Sequence, residues 1–308
     1  MPTMKAVRIH NWGGNDEVAI EDLEHPTIGA DEVLIRLQAA GVNPVDWKIR
    51  EGYLRQWFSL PLTLGIDGAG NVIAVGANVH NFTVGDAVYG RFMNTFAEFT
   101  TAKAAEIALK PKTLDYIHAA ALPVAALTAW NALIERANVQ AGQNVLIHAA
   151  AGGVGSFGVQ FAKARGAYVI GTASANNYAY LCELGTDEFL DYHTTHFAAV
   201  VPQVDVILDA VGGETLERSY ALVKPGGTLI TIVGEPPPEK AAKYGITVLS
   251  GDFSQASGTA LQEIARLIDT GRVKVHVNHV YPLAAVKQAL ADSQAGHTRG
   301  KLVLQIGD

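Results

Sequence analysis

The chain has one cysteine, Cys182, in 308 residues. A single thiol can build neither an intrachain disulfide framework nor a thiolate-rich zinc site, and it suits a reducing, cytoplasmic setting. Positive charge is also scarce. The 23 Lys and Arg against 30 Asp and Glu leave a formal charge of -7, so there is no surplus of cations to displace counterions from a phosphate backbone, and no nucleic-acid ligand is expected. Long apolar runs are missing too. The longest near mid-chain, Ala119 to Leu127, is broken by Pro123 and falls short of the roughly 18 residues that a membrane span needs, so no membrane association is expected. The N-terminus, Met1 to His10, lacks the charged segment and apolar core of a secretory signal and reads as a first strand.

What is present is apolar material: 49% hydrophobic residues against 17% charged, enough for two cores at about 100–200 residues per domain. From Met4 to about Leu109 short β-branched runs (Glu32 to Gln38, Gly70 to Val75, Ala87 to Tyr89, Ala97 to Thr100) are separated by turn residues such as Gly85-Asp86. This spacing predicts a small β-rich barrel or sandwich. After Pro111 the texture turns to alanine-rich helix, with Asp115 as N-cap ahead of Tyr116 to Leu122 and a second helical run over Leu127 to Ala137. From Asn144 onward strand and helix alternate: Val145 to His148, Val154 to Ala164, Tyr168 to Thr172, Tyr178 to Leu184, Val204 to Asp209, Glu214 to Leu222 and Thr228 to Val233. That order, with continuously apolar strands, is the pattern of a doubly wound parallel sheet. Beyond Gly271 the pattern is again strand-rich, ending in Leu302 to Gln305.

The chemical signal is densest at Val145 to Gly155, where an apolar strand runs into Ala150, Gly152, Gly153, Val154 and Gly155 and then into a helix. Small residues at Ala150, Gly152 and Gly155 fit a GxGxxG variant: they allow a tight turn, close approach of backbone to a pyrophosphate, and packing of helix on strand. The helix N-terminus adds unpaired N–H groups aimed at phosphate. About twenty residues on, the second strand ends in Ala173-Ser174, where sites that prefer NAD place an acid for the ribose 2′-OH. A neutral end leaves room for a 2′-phosphate, so NADPH is the expected cofactor; Ser174 is equally suited to capping the helix that follows.

At this point the chain resembles the quinone oxidoreductase, or zeta-crystallin-like, branch of the medium-chain dehydrogenase/reductase superfamily. The resemblance rests on Ala39-Ala40-Gly41-Val42-Asn43-Pro44-Val45-Asp46, Leu64-Gly65-Ile66-Asp67-Gly68-Ala69-Gly70, Asn81-Phe82-Thr83-Val84-Gly85-Asp86-Ala87-Val88, the alanine-rich Ala119 to Trp130, the glycine turn, and Gly296-His297-Thr298-Arg299-Gly300-Lys301. It implies an α/β protein in which a GroES-like β-rich catalytic domain (residues 1–122 and 271–308) is interrupted by a Rossmann doubly wound parallel-sheet domain (residues 123–270). It also implies that Thr128 and Asn43 lie toward the nicotinamide, Gly152 to Gly155 at the pyrophosphate, Ser174 and Tyr192 around the 2′-phosphate, and Val211 and Val233 along the nicotinamide riboside, with Lys301 reaching the cofactor. One departure is Asn176, where relatives often carry a lysine.

Zinc-dependent members of the superfamily supply Cys, His and Cys. Here the matching stretches read Gly41-Val42-Asn43 and Gly65-Ile66-Asp67, so no catalytic metal is expected, and His193 with His196 and His276 with His279 read as surface or packing histidines. Without a metal the acceptor must take hydride readily, which suits a quinone or an α,β-unsaturated carbonyl. Asn43, Asp46 and Tyr53 are the candidate catalytic residues: Asn43 as donor to the developing oxyanion, Asp46 with Lys48 in the polar wall, Tyr53 for stacking or proton relay. Each is also suited to a structural role. An NADP-dependent alcohol dehydrogenase and a non-catalytic NADPH-binding protein are the alternatives. The β-prone segment Gly245 to Phe253 is expected at the edge of the parallel sheet, where pairing with a second copy predicts a homodimer.

Overall fold

Period-two burial organises the first part of the chain. In the computed structural model, which describes residues 2–251 and 253–307, the elements of this part are β1 (Thr3–Ile9), β2 (Val18–Glu24), β3 (Glu32–Val42), α1 (Pro44–Arg50), β4 (Leu62–Thr63), β5 (Asp67–Val75), β6 (Ala87–Arg91), β7 (Phe99–Lys103), β8 (Ile107–Leu109) and α2 (Tyr116–Ala120). Along β3, Val33, Ile35 and Leu37 are buried while Glu32, Leu34 and Arg36 alternate outward, and the strand then runs fully buried from Ala39 to Val42. Asp115 caps α2 as expected, accepting from the His118 N–H at 2.8 Å.

The rest of the chain forms α3 (Pro123–Trp130), β9 (Asn144–Ile147), α4 (Gly153–Ala164), β10 (Tyr168–Ala173), α5 (Tyr178–Leu184), β11 (Glu188–Asp191), α6 (Phe197–Val200), β12 (Val204–Asp209), α7 (Gly213–Ser219), β13 (Val223–Thr231), α8 (Pro238–Tyr244), β14 (Thr247–Leu249), α9 (Gly258–Asp269), β15 (Val277–Pro282), α10 (Val286–Ala295) and β16 (Lys301–Gln305). The helix expected over Leu127 to Ala137 changes winding part-way. From Asn131 to Arg136 it is a π-helix, closed by the Ala137 N–H on the Ala132 carbonyl, while the Asn131 amide reaches out to the Phe253 carbonyl at 2.5 Å.

Two units result. The first comprises Met1–Val124, Gln255–Gly271 and Val275–Asp308, the second Ala125–Ser254 and Arg272–Lys274. The division departs from the expected boundaries at α9, which groups with the first unit. Tyr89 donates its hydroxyl to the Leu261 carbonyl at 2.7 Å, and Thr113 donates both its N–H and its hydroxyl to Asp269 at 3.0 Å.

In the first unit a seven-stranded sheet runs β15-β16-β3-β5-β6-β8 with β7 also on β3, beside a three-stranded sheet β2-β1-β4. Its core gathers Val7, Ile9, Val42, Leu64, Phe96, Leu302 and Leu304. In the second unit a six-stranded sheet has the order β11-β10-β9-β12-β13-β14 with every pair parallel. This is the classic doubly wound order, and its direction reverses between β9 and β12, so the loops leaving the C-terminal ends of those strands flank the switch point where ligands bind. Val145, Leu146, Ile147, Ile207 and Leu208 are wholly buried, as expected of strands covered on both faces. The segment Gly245 to Phe253 contributes only Thr247–Leu249 as strand, at the sheet edge; Asp252 within it, like Met1, lies outside the described residues.

Candidate functional site

In the first unit the sequence Asn43-Pro44-Val45-Asp46 folds as a helix start. Asn43 is the extended N-cap of α1, Pro44 occupies the first turn, where its missing N–H costs nothing, and the Asp46 carboxylate turns back to accept the Asn43 N–H at 2.7 Å. This fixes the Asn43 amide, whose Nδ2 donates to Asp67 Oδ2 at 2.8 Å and whose Oδ1 accepts from the Lys301 ammonium. Asp67 opens β5 in register with Gly41 on one side and Arg91 on the other, and its second oxygen accepts the Val124 N–H at 2.8 Å. Lys301, at the start of β16, also donates to the Val42 carbonyl and stands 3.6 Å from Asp67.

All four side chains are buried. Two carboxyl groups and one ammonium share a dry place, with the Arg91 guanidinium also acting on Asp67. Burial, reinforced by Asp67, pushes the Asp46 carboxyl up to about 8, and burial likewise raises Asp67 and lowers Lys301. Asp46 Oδ1 has no hydrogen-bond partner, which is consistent with a protonated, neutral carboxyl. The sequence placed Asp46 in a polar wall; the fold puts it behind Asn43 as a brace, because its oxygen is taken by the helix start. Tyr53 lies apart, 66% exposed, with its ring edge-on to Trp47 at 6.1 Å, and the Lys48 ammonium lies over that same indole.

In the second unit the turn after β9 brings the predicted residues together. Ala149 takes the left-handed conformation (φ 52°), one residue ahead of the expected tight position, and Ala150 is fully buried beneath it. Gly155 is required by packing: a Cβ there would stand 2.2 Å from the Ala149 carbonyl oxygen. Gly152 is not. Its backbone is ordinary (φ -75°), and a Cβ would meet only that same oxygen at 3.3 Å, while α4 begins behind it with no side-chain cap. An uncapped helix start under an open glycine fits a pyrophosphate.

Behind the turn His148 is buried, with Nε2 3.0 Å from Ser219 Oγ and Nδ1 3.1 Å from Thr172 Oγ1. Ser219 gives its proton to the Thr215 carbonyl, so Nε2–H donates to Ser219 and Nδ1 accepts from Thr172. Burial holds this imidazole neutral, its pKa lowered to about 4.

Ser174 ends the second strand and leads a short 3-10 turn, its hydroxyl accepting from Asn177 Nδ2 at 3.0 Å. Tyr192 comes beside it through its N–H on the Ala173 carbonyl. Ala173 itself is buried, in register with Asp191, so of the pair Ala173-Ser174 only the serine presents a side chain outward. Val211 and Val233 lie in the loops after β12 and β13, which meet where Gly212 comes against Val233, and Thr128 is buried on α3.

Two family models match the chain, the alcohol dehydrogenase GroES-like domain over residues 29–112 and a family described as zinc-binding dehydrogenase over residues 184–304. The chloroplast envelope quinone oxidoreductase homolog of Arabidopsis thaliana is 31% identical over 329 residues, covering 98% of each protein. The NADPH-dependent alkenal/one oxidoreductase of the same plant is 32% identical, over 98% of this chain and 79% of the relative. The solved quinone oxidoreductase from Coxiella burnetii superposes with a TM-score of 0.91 at 32% identity, covering 99% of this chain and 100% of that one. The chain belongs to the quinone oxidoreductase branch of the medium-chain dehydrogenase/reductase superfamily. It is an oxidoreductase with a GroES-like domain and a Rossmann-type parallel sheet.

The Lys301 ammonium stands 3.6 Å from Asp67, and among the described residues no three His, Cys, Asp or Glu side chains converge on a common point. Among the described residues no helix is long and apolar enough to cross a membrane.

Sequence reasoning passed over Asp67, His148 and Asp209 as site residues. Asp67 was visible as an acid in the glycine-rich run Leu64 to Gly70, and Asp209 as an acid ending the apolar strand Val204 to Asp209 ahead of Gly212-Gly213. The signal in both is a carboxylate where burial is otherwise complete.

Proposed function

We propose that this oxidoreductase takes hydride from NADPH and delivers it, without zinc, to a quinone or an α,β-unsaturated carbonyl. The observation that carries this reading is the Asn43, Asp67 and Lys301 cluster. It offers no soft donor to a Lewis-acid metal, so the acceptor's own conjugation must make it receptive. NADPH supplies the hydride. On this reading Gly152, Gly153, Val154 and Gly155 hold the pyrophosphate, Ser174 and Tyr192 the 2′-phosphate, and Val211, Val233 and Thr128 the nicotinamide end. Asn43, oriented by Asp46, Asp67 and Lys301, directs an amide hydrogen at the acceptor oxygen as charge develops there, and Tyr53 offers the acceptor a stacking face.

Steady-state assays of NADPH and NADH against a panel of quinones and enones test the proposal. Turnover is expected with NADPH and insensitive to chelators. Equal kcat/KM for the two nucleotides would overturn the choice of NADPH, and one zinc per chain with activity lost on chelation would favour an alcohol dehydrogenase. We further propose a homodimer through the β14 edge, for which light scattering should give twice the chain mass of 32.6 kDa. The cytoplasmic setting suggested by the single thiol is checked by cell fractionation.

A further inference from the structure

Asp209 is the last residue of β12 and has no exposed surface. Its carboxylate is nonetheless fully occupied. Oδ1 accepts the N–H groups of Val211 and Gly212, both at 3.0 Å, and Oδ2 accepts from Gly212 N at 3.1 Å and from the Thr231 hydroxyl at 2.9 Å. Thr231 is the last residue of β13 and the register partner of Asp209. With its proton given to the carboxylate, the stronger acceptor, its oxygen is free to accept the Val233 N–H at 3.2 Å. The loops themselves touch: Gly212 has φ 76°, and a Cβ on it would lie 3.2 Å from Val233 Cγ1. One buried carboxylate thus ties together the loops that leave two neighbouring parallel strands on the ligand-binding side of the sheet, next to the switch point.

We propose that Asp209 is a positioning residue for the nicotinamide half of the dinucleotide, acting through Thr231 to hold Val211 and Val233 in one fixed arrangement. The proposal rests on the cofactor reading above. A carboxylate suits the task because three hydrogens converge on it in four contacts, the Gly212 N–H being shared between its two oxygens, and it presents only acceptors. In Asp209→Asn the side-chain NH2 either faces the Val211 and Gly212 N–H groups, which then lose their acceptor, or faces Thr231, whose hydroxyl must then turn its proton to the Val233 carbonyl at 3.0 Å, so the arrangement of one of the two loops changes. The hydrogen bonds of Asp209 and Thr231 run to Val211, Gly212 and Val233, whereas Ser174 and Tyr192, the adenosine half on this reading, follow β10 and β11.

The test compares two ligands on the full chain: NADPH, and adenosine 2′,5′-bisphosphate, which carries only the adenosine half. Asp209→Asn is expected to weaken NADPH about tenfold and to raise its KM while leaving the bisphosphate within about twofold of wild type. Thr231→Val keeps the carboxylate and the volume but removes the link to β13, and is expected to weaken NADPH about threefold with the bisphosphate unchanged. It decides the question alone if Asp209→Asn does not fold. Both ligands weakened in proportion, or neither weakened, in these variants would overturn the role of Asp209. Failure of the wild-type chain to bind either ligand would overturn the cofactor reading itself, and this inference with it.

Discussion

Behind Asn43 in the first unit, two carboxylates and one ammonium share a dry pocket and leave Asp46 Oδ1 without a partner, whereas behind the glycine turn of the second unit a neutral imidazole has a partner on each nitrogen. Burial drives both toward the uncharged form, in opposite protonation states: it makes Asp46 keep a proton and makes His148 give one up. The first arrangement depends on charge balance and is vulnerable to any change in it. The second depends on neutral hydrogen bonds, each of modest worth.

The sharpest test of that contrast removes one partner from each. Lys301→Met takes from Asp67 its nearest cation and should cost about 3–5 kcal/mol, read from urea unfolding; Ser219→Ala orphans the His148 Nε2–H and removes the hydroxyl donated to the Thr215 carbonyl, and should cost about 1–3 kcal/mol. The contrast fails if the two costs are equal. Next in size is the glycine turn. Gly155→Val drives a side chain into the Ala149 carbonyl and should destabilise the protein by about 1–3 kcal/mol or more, whereas Gly152→Val, whose Cβ meets that oxygen only at 3.3 Å, should cost clearly less and still abolish tight NADPH binding. Loss of both properties in both variants would show that Gly152 is also held by packing.

A smaller effect separates the units by pH. The Asp46 pKa is raised from 3.8 to about 8 by folding, so its contribution to stability is complete below pH 4 and is lost as the pH rises toward 8. The His148 pKa is lowered from 6.5 to about 4, so its contribution is complete above pH 6.5 and is lost as the pH falls toward 4. Calorimetry should therefore show Asp46→Asn raising the Tm of the first unit by several degrees at pH 8 and little at pH 4, with the second unit unmoved. An equal shift at both pH values would mean that folding does not raise the pKa of Asp46. The smallest expected effect concerns cofactor choice. Because Ala173 is buried beside Asp191, the place for an added carboxylate is Ser174, and Ser174→Asp should shift the NADPH/NADH ratio of kcat/KM by about tenfold toward NADH. An unchanged ratio would remove Ser174 from the 2′-phosphate site.

Local rules explain why so much was readable in advance. The turn from Val145 to Gly155 and the cap at Asp115 depend on neighbours within a few residues, and each formed within a residue or two of its expected place. The outward pattern of β3 followed from its alternation. Less was readable where a residue's partner is far along the chain. The winding of the helix after Trp130 changes where Asn131 reaches Phe253, and α9 joins the first unit through Tyr89 and Thr113.

The same division runs through the candidate site. From its residues in order the chain specified a β-rich part, a parallel doubly wound sheet, a glycine-rich strand-to-helix turn and a neutral end to the second strand, because propensity, spacing and glycine geometry are properties of short segments. Only the tertiary structure decided that Asp46 stands behind Asn43, that Lys301 meets Asp67 across 234 residues of sequence, and that Asp209 ties two loops through Thr231. Those arrangements turn on burial and on which charges are brought within hydrogen-bond reach, and neither quantity exists until distant strands have paired.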